Sequence, residues 1–551
     1  MQLTTRPVEI SGKIVESFRD AWELQVELRP EQEFLVFEES YTGRVVSRTY
    51  AQTNKNATEL ALVLQENGVS KGTQILLYMG NTIEFVESML AIAKLGAVAV
   101  PVDETARPFE LNRIKSLCDA RHIILDKTTV QNLGEISPDG VDHLYFADAF
   151  SADESGYLFG VSTSEVETLS VMRSVGVTVH EIYAEAAELN HLLIEKAELA
   201  SVDISGSDLY EILFTSGTTA APKGVMITHR NVLESGRFVE WELALTAADR
   251  YATSMVSTRV NFQLSAFAPV ITAGATLVMF SCYSASRFWA QLRRHRATMA
   301  QGMALIIATL LKQDVDLRER DHQLRGIHYF LPLATAQKEE FENRFGVKLI
   351  NNYGSTESLI GVITDPATGN EKWPSIGQIG PGYNAKIVDE NGVELPAGEV
   401  GELLIQGIPG ITLMAGYWNN PEATAAVLSA DGWYRTGDFM YCEDGWFYFV
   451  DRRTDLIKRN GETVSSAEVE ETIQKLPEVA EVAVVGVPDP IRGQEIKAVV
   501  VPQMGAELSA ESLISFCEAH LASFKVPSLV EFVSELPRSA YGKVNKAALL
   551  Q

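Results

Sequence analysis

The sequence has few cysteines, no excess of positive charge and no long apolar run, and each shortage excludes a class of protein. Its four cysteines are scattered without a CxxC pair or a histidine at metal-ligand spacing, which excludes a disulfide framework and a zinc site. Lys and Arg total 46 against 73 Asp and Glu. The resulting net charge of −27 repels polyanions and argues against nucleic acid as a partner.

The most apolar stretch runs from Phe267 to Phe280 and is broken by Pro269, Thr272 and Gly274. This pattern predicts that no segment inserts into a membrane. The first residues, MQLTTRPVEISGK, lack the charged start and the apolar run of a signal peptide. These observations predict a soluble cytoplasmic protein.

What is present is enough apolar sequence for large cores: 46% of the 551 residues are hydrophobic. From about residue 60, amphipathic helices alternate with short apolar strands, which favours parallel sheets covered on both faces. The sequence predicts an α/β fold in which residues 1–451 form a large N-terminal domain of doubly wound sheets. It also predicts a β-rich subdomain at about 384–450 and a small α+β C-terminal domain over 452–551.

A phosphate-binding loop is predicted directly after the buried strand EILF. The loop reads TSGTTAAPKG over residues 215–224. Its small residues let backbone N–H groups approach phosphate oxygens, its hydroxyls can donate hydrogen bonds, and Lys223 supplies a positive charge. The loop differs from the Walker pattern because its lysine follows a proline and precedes a glycine.

At this loop the chain resembles the adenylate-forming superfamily of acyl-CoA synthetases, adenylation domains and luciferases. Further blocks follow in the order of that superfamily: NNYGSTES at 351–358, YRTGD at 434–438, VDRRTDLIKRNGE at 450–462 and YGKVNKAAL at 541–549. Several segments, among them WPSIGQIG and FYFVDRRTDLIKRNGE, resemble the carnitine and crotonobetaine CoA ligases in particular.

The resemblance implies a role for each matching residue. Nucleotide binding falls to Thr215, Ser216, Gly217, Thr218, Thr219, Lys223, Tyr353, Gly354, Asp438 and Arg452. Within that set, Tyr353 is expected to stack on adenine, and Asp438 and Arg452 to contact the ribose. Thr356 is expected to touch the phosphate, Glu357 to hold Mg²⁺, and Lys543 to act in the first chemical step.

The implied reaction has two steps that use ATP, Mg²⁺ and coenzyme A. A small carboxylic acid attacks the α-phosphorus of ATP and forms an acyl-adenylate, which a pantetheine thiol then attacks. A small mobile domain is expected to swing about a hinge at Arg453 and Thr454, remove Lys543, and present the face from Lys458 to Gly461 to the thiol. Alternatives are adenylation of a small amino acid for an acyl carrier protein, and a nucleotide-binding protein without turnover.

The acyl pocket is expected to involve Arg259, Asn261, Asn352 and Ser355. Between Ser254 and Gln263 the family commonly has an aromatic residue followed by histidine, whereas this sequence reads MVSTRVNFQ with Arg259 at the histidine position. An arginine there would repel a quaternary ammonium and could attract a second carboxylate, which puts carnitine in doubt. The alternative is that Arg259 points away from the pocket and pairs with one of the many carboxylates of the chain. The segment has no Asp to bind a substrate amine, which disfavours a small amino acid.

Overall fold

The structure of the protein is a computed structural model. It describes residues 7–106, 108–126, 129, 137–147, 177–181, 199–215, 222–330, 333–366, 369, 371–452, 455–459, 462–489, 493–521, 525–538 and 544–550.

Contacts within the chain divide it into two compact units. The first unit contains Met1–Lys372, Gly377–Asn384 and Gln406–Tyr434. The second contains Trp373–Ile376, Ala385–Ile405 and Arg435–Gln551. The predicted domain boundary at residue 451 lies inside the second unit and remains a prediction.

The helices found in the described residues have lengths from one to nearly five turns. In chain order they are α1 (Phe18–Leu28), α2 (Tyr50–Glu66), α3 (Ile83–Leu95), α4 (Pro108–Cys118), α5 (His229–Leu243), α6 (Val260–Phe262), α7 (Ala268–Ala273), α8 (Ala285–Arg294), α9 (Ala304–Leu311), α10 (Thr335–Phe345), α11 (Pro421–Val427), α12 (Ser466–Ile473) and α13 (Ala510–His520). A π-helical turn at Gln263–Phe267 joins α6 to α7, and a 3₁₀ helix covers Lys546–Leu550.

The strands are mostly short and lie between these helices. They are β1 (Val8–Ile10), β2 (Lys13–Val15), β3 (Glu33–Glu38), β4 (Val45–Thr49), β5 (Gln74–Met79), β6 (Val98–Asp103), β7 (His122–Leu125), β8 (His143–Phe146), β9 (Thr178–Glu181), β10 (Leu209–Thr215), β11 (Lys223–Thr228), β12 (Arg250–Thr253), β13 (Thr276–Phe280), β14 (Met299–Met303), β15 (Gly326–Phe330), β16 (Leu349–Tyr353), β17 (Ile363–Thr364), β18 (Gln378–Ile379), β19 (Asn384–Val388), β20 (Gly401–Gln406), β21 (Gly416–Tyr417), β22 (Trp433–Glu443), β23 (Trp446–Arg452), β24 (Leu456–Arg459), β25 (Glu462–Ser465), β26 (Val479–Asp489), β27 (Gly493–Pro502) and β28 (Leu529–Phe532).

Two large sheets form the framework of the first unit. One has the order β21-β11-β10-β6-β5-β7-β8-β9 and is parallel from β10 to β9. The other has the order β18-β17-β16-β15-β14-β12-β13-β3-β4 and is parallel from β16 to β3. Strand β6 is buried at every position, as expected of a parallel strand covered on both faces. The sheets confirm the predicted α/β fold class.

The second unit contains two smaller sheets. A four-stranded sheet has the order β19-β20-β22-β23, and a five-stranded sheet has the order β25-β24-β27-β26 with β28 added to β27. Helices α12 and α13 pack on the second of these sheets through an apolar core that includes Val469, Ile473, Leu513 and Cys517. This arrangement confirms the β-rich and α+β elements predicted for the last third of the chain.

Local sequence signals explain where the helices of the first unit begin and end. Helix α3 begins after Thr82, whose hydroxyl accepts a hydrogen bond from the N–H of Phe85, and ends at Gly96 with φ 63°. Helix α2 begins after Thr49, which forms a capping box with Gln52. In the part of the chain that the structure describes, no helix combines the length and the apolar character needed to cross a membrane.

Candidate active site

Polar residues collect where parallel strands of the first unit end. Strand β6 ends at Asp103, β10 ends at Thr215 and β16 ends at Tyr353, and the segment that holds Arg259 follows β12. In open α/β sheets, ligands bind outside the carboxyl ends of the strands. This edge of the two sheets is therefore the candidate site.

The two ends of the predicted phosphate loop are held together. Thr215 and Lys223 are partners in the antiparallel pairing of β10 with β11, and the Thr215 hydroxyl lies 3.4 Å from the carbonyl oxygen of Lys223. The pairing fixes the base of the loop. Ser216, Gly217, Thr218 and Thr219 lie outside the described residues, so their role stays a prediction.

Tyr417 brings Lys223 and Glu357 together. The Tyr417 hydroxyl donates a hydrogen bond to Glu357 Oε1 at 2.9 Å, and Lys223 Nζ lies 5.1 Å from the centre of the Tyr417 ring. Burial and the Glu357 charge raise the pKa of Tyr417, which therefore keeps its proton and remains a donor. The predicted phosphate-binding lysine and the predicted metal-binding carboxylate share this aromatic residue.

A strained turn carries Thr356 and Glu357. Leu359 and Ile360 have φ values of 61° and 63°, which are rare for residues with bulky side chains. A Cβ on Gly354 would lie 2.6 Å from the backbone of Ile360, so the close approach requires glycine there. Backbone strain of this kind persists only where the surrounding contacts hold it, and it is concentrated at functional sites.

Two predicted pocket residues near this turn have partners within the protein. The side-chain amide of Asn352, which is 2% exposed, donates to both carboxylate oxygens of Glu242, at 3.1 and 2.9 Å. Ser355 Oγ lies 3.3 Å from Ser358 Oγ and 3.4 Å from the Tyr434 hydroxyl. These contacts are structural, and the assignment of Asn352 and Ser355 to an acyl pocket stays a prediction.

The segment after β12 is held by hydrogen bonds from Asn81, in the link after β5 of the other large sheet, and from Gln301 of β14 in its own sheet. Asn81, which follows β5, donates to the carbonyl oxygens of Met255 and Phe280 at 2.9 and 3.1 Å. Its side-chain oxygen accepts from the Ser257 N–H at 2.7 Å. Gln301 Nε2 donates to the Asn261 carbonyl oxygen at 2.8 Å. These hydrogen bonds hold the predicted pocket segment at the carboxyl edges of both sheets.

Arg259 forms an ion pair with Asp103. Its Nη2 atom lies 3.4 Å from Asp103 Oδ2, and the side chains are 29% and 7% exposed respectively. The other carboxylate oxygen of Asp103 accepts a hydrogen bond from the Thr105 N–H at 2.9 Å. The pairing with a carboxylate agrees with that part of the alternative for Arg259, and the direction of the side chain relative to an acyl pocket stays a prediction.

In the second unit, two predicted ribose-binding residues are neighbours. Asp438 and Arg452 face each other in the antiparallel pairing of β22 with β23, and Asp438 is buried. Next to Arg452, the carboxylate of Asp451 accepts hydrogen bonds from the N–H groups of Ser466 and Ala467, at 2.7 and 3.2 Å. Asp451 thus caps the start of α12 from just before the predicted hinge.

The remaining predicted residues of the small domain are only partly described. Lys458 lies on β24, opposite Thr463 of β25, and its backbone alone is described. Lys543, Gly461 and the hinge pair Arg453 and Thr454 lie outside the described residues. Their roles therefore stay predictions.

Glu357 is suited to a Mg²⁺ ion that arrives with a nucleotide. Mg²⁺ is usually held by one or two carboxylates together with substrate phosphates and water. Glu357 is partly exposed, and one of its oxygens is fixed by Tyr417. Among the residues that the structure describes, no group of three or more His, Cys, Asp or Glu side chains is placed to hold a metal ion by itself. One carboxylate near the phosphate loop fits the needs of this cation.

Glu211 lies on β10, four positions before Thr215, and is fully buried. Among the residues that the structure describes, neither of its carboxylate oxygens has a hydrogen-bond partner. Burial raises the pKa of Glu211 to about 8, so the side chain is largely protonated at neutral pH.

Comparison with known proteins shows the family. Residues 22–418 match the AMP-binding enzyme family, and residues 468–543 match the C-terminal domain of AMP-binding enzymes. The chain belongs to this family. It is an AMP-forming acid–thiol ligase, which activates a carboxylic acid with ATP as an acyl-adenylate and forms a thioester with coenzyme A.

Curated relatives and solved structures agree with this membership. The chain is 36% identical to the crotonobetaine/carnitine–CoA ligase of Salmonella paratyphi A, over 97% of this chain and 99% of the relative. It is 37% identical to the enzyme of the same name from Proteus mirabilis, over 96% and 98%. The crystal structure of ATP-bound MatB from Rhodopseudomonas palustris has the same fold, with a TM-score of 0.79 at 24% identity over 97% and 98% of the two chains.

Sequence reasoning missed three residues of this site. Asp103 had a weak signal, because a carboxylate ends the apolar strand AVAVPVD. Asn81 stands in the short link between β5 and α3, where a polar residue is ordinary. Tyr417 lies in the stretch AGYWNN, where nothing local points to Glu357. Only the folded sheets bring these side chains to the predicted ones.

Proposed function

We propose that this ligase activates a small carboxylic acid bound beside the segment from Val256 to Gln263, and that the Arg259–Asp103 pair sets the charge that the acyl group meets. The single observation that carries the proposal is this ion pair, on a segment clamped between the carboxyl edges of two sheets. A paired arginine presents a dipole to its surroundings in place of a net charge. The pairing weakens the repulsion of cationic acids that is expected of Arg259 alone, and that expectation stays a prediction.

The relatives support an acid of a particular class. The curated relatives are named for crotonobetaine and carnitine, which are small acids with a quaternary ammonium group. A neutral ion pair is compatible with such an acid, whereas an unpaired guanidinium would oppose it. We therefore place betaine-type acids among the substrates to test first.

In the first step, an oxygen of the acid's carboxylate attacks the α-phosphorus of ATP. A new P–O bond forms, the bond between the α-phosphorus and the bridging oxygen breaks, and pyrophosphate leaves with the electron pair. Lys223 and the hydroxyls of the loop bind the phosphates, and Thr356 contacts the α-phosphate. Lys543 stabilises the extra negative charge of the pentavalent transition state. A bound Mg²⁺, held by Glu357, would neutralise phosphate charge.

In the second step, the thiol of coenzyme A attacks the carbonyl carbon of the acyl-adenylate. The C–S bond forms, AMP leaves with the electron pair of the broken C–O bond, and the thiol proton is released. We propose that Lys458 and Gly461 face the thiol in this step after a swing of the small domain. The comparisons give no support to an acyl carrier protein as the acceptor, and Mg²⁺ and a cytoplasmic location stay predictions.

Substrate-dependent exchange of labelled pyrophosphate into ATP tests the proposal. The panel contains carnitine, crotonobetaine, simple short acids, dicarboxylic acids and glycine. Exchange with one or more small acids, followed by thioester formation when coenzyme A is added, is the expected result. Exchange with glycine alone would favour amino-acid adenylation. Tight ATP binding without exchange across the panel would favour the binding protein without turnover.

A further inference from the structure

Strand β21 is a two-residue strand that places one aromatic side chain between two parts of the site. Its residues Gly416 and Tyr417 pair with Met226 and Val225 of β11, the strand that begins at Lys223. The Trp418 N–H donates to the Gly224 carbonyl oxygen at 2.7 Å and extends this pairing. Tyr417 is therefore fixed to the strand that leaves the phosphate loop.

The same short segment also holds Glu357. The Met414 N–H donates to the Glu357 carbonyl oxygen at 2.9 Å, and the Tyr417 hydroxyl donates to the Glu357 carboxylate at 2.9 Å. Tyr417 is 5% exposed, and its own N–H donates to the Thr424 hydroxyl at 2.9 Å. Both the backbone and the side chain of Glu357 are thus held by one buried segment.

A carboxylate that must bind Mg²⁺ gains from being held in this way. Mg²⁺ requires near-octahedral geometry at short distances, so a carboxylate that rotates freely offers its oxygen in the right direction only part of the time. Groups that hydrogen-bond to metal-binding side chains fix their orientation, and removing such a group typically costs ten- to a hundredfold in metal affinity or activity.

We infer that Tyr417 is a positioning residue for the adenylation step, which orients Glu357 for the Mg²⁺ ion of the nucleotide. The inference rests on the proposed role of Glu357. The hydroxyl holds one carboxylate oxygen and leaves the other for the cation, while the ring packs against Lys223 of the phosphate loop. Through this one side chain, the turn that carries Glu357 keeps a fixed relation to Lys223 at the start of β11.

The test uses Tyr417→Phe, which keeps the ring beside Lys223 and removes only the hydroxyl. Tyr383→Phe is the matched control, because Tyr383 is also buried and its hydroxyl donates to the Thr412 carbonyl oxygen at 2.8 Å. Pyrophosphate exchange is measured against Mg²⁺ concentration in the full-length enzyme, and ATP binding is measured by calorimetry with and without Mg²⁺.

We expect Tyr417→Phe to raise the Mg²⁺ concentration for half-maximal exchange about tenfold. ATP affinity without Mg²⁺ should stay as in the wild type, and thioester formation from supplied acyl-adenylate should survive. Tyr383→Phe should lower the melting temperature to a similar extent without moving the Mg²⁺ dependence. In a Glu357→Gln background, Tyr417→Phe should change the Mg²⁺ dependence of exchange little further, because the Tyr417 hydroxyl acts through the Glu357 carboxylate.

Two results would overturn the inference, and only the second would also overturn the metal-binding role of Glu357. If Glu357→Gln shifts the Mg²⁺ dependence and Tyr417→Phe matches the Tyr383 control, Tyr417 does not position Glu357, whose own role stands. If neither variant shifts it, Mg²⁺ is bound elsewhere, and the assignment of Glu357 fails too. In both cases, wild-type exchange with the acid panel still decides the proposed function on its own.

Discussion

Replacing Asp103 by asparagine removes one negative charge beside Arg259 and leaves the side chain almost the same size. The amide oxygen of asparagine can still accept the hydrogen bond that the Thr105 N–H gives to Asp103. The substitution therefore leaves the positive charge of Arg259 without its compensating carboxylate, with little change in shape. Cationic acids should become poorer substrates, and acids with a second carboxylate should become better ones.

The size of the effect follows from Coulomb's law. A guanidinium roughly 6 Å from a trimethylammonium group costs about 2.8 kcal/mol at an effective dielectric constant of about 20. The Asp103 carboxylate, roughly 3 Å farther from the trimethylammonium group, attracts it by about 1.8 kcal/mol at the same dielectric constant and so offsets part of this repulsion. Removing the carboxylate should lower kcat/KM for a cationic acid by about twentyfold. Because Arg259 is 29% exposed, solvent screening reduces the expected change to about tenfold.

Pyrophosphate exchange with the acid panel measures this change as a ratio of kcat/KM for a cationic acid to that for a neutral acid of similar size. Arg259→Gln should move the ratio in the opposite direction, because it leaves Asp103 unpaired. Asp249→Asn is the matched control: Asp249 is buried and lies 3.2 Å from Arg325, but it precedes β12 and so lies at the amino edge. An unchanged ratio in both pocket variants would refute the reasoning, because the pair would then not face the acyl group.

Three further predictions concern other residues. Lys543→Ala should slow adenylate formation by about a hundredfold or more, with much better survival of thioester formation from supplied adenylate, and equal losses in the two half-reactions would contradict its role. Glu357→Gln should raise the Mg²⁺ requirement of exchange, and an unchanged requirement would place the cation elsewhere. The pKa of Glu211 is about 8 in the folded chain against an ordinary value of 4.5, so folding takes up a proton and stability falls as pH rises between these values. Glu211→Gln should therefore gain stability over the wild type by up to about 1.4 kcal/mol per pH unit between pH 5 and 8, and an equal difference in melting temperature at pH 5.5 and 7.5 would exclude this titration.

Local features of the fold could be predicted because their causes are local. Helices α2 and α3 carry apolar side chains and threonine caps within a few residues, and the short apolar runs β5 and β6 follow α2 and α3 respectively. The blocks that suggested the family are likewise continuous in sequence. Such signals predict which elements form and what chemistry they resemble.

The contacts that shape the site could not be predicted in this way. Arg259 reaches Asp103 across 156 positions and Tyr417 reaches Glu357 across 60, so no local pattern encodes either pair. The sequence offered many carboxylates as partners for Arg259, and geometry alone selects Asp103. For Asn352, the partner is Glu242 of α5, and no local pattern connects these two residues.

The clamp on the segment after β12 has a consequence for the order in which the molecule folds. Asn81 and Met255 are 174 positions apart, and they follow strands of two different sheets. Closing a loop of this length costs chain entropy before the contact forms. The contact is therefore unfavourable until both sheets have formed. The segment after β12 is therefore expected to gain its final shape late, after the strands on either side of it. A site recognised from short blocks of sequence is completed only by the folding of the entire first unit.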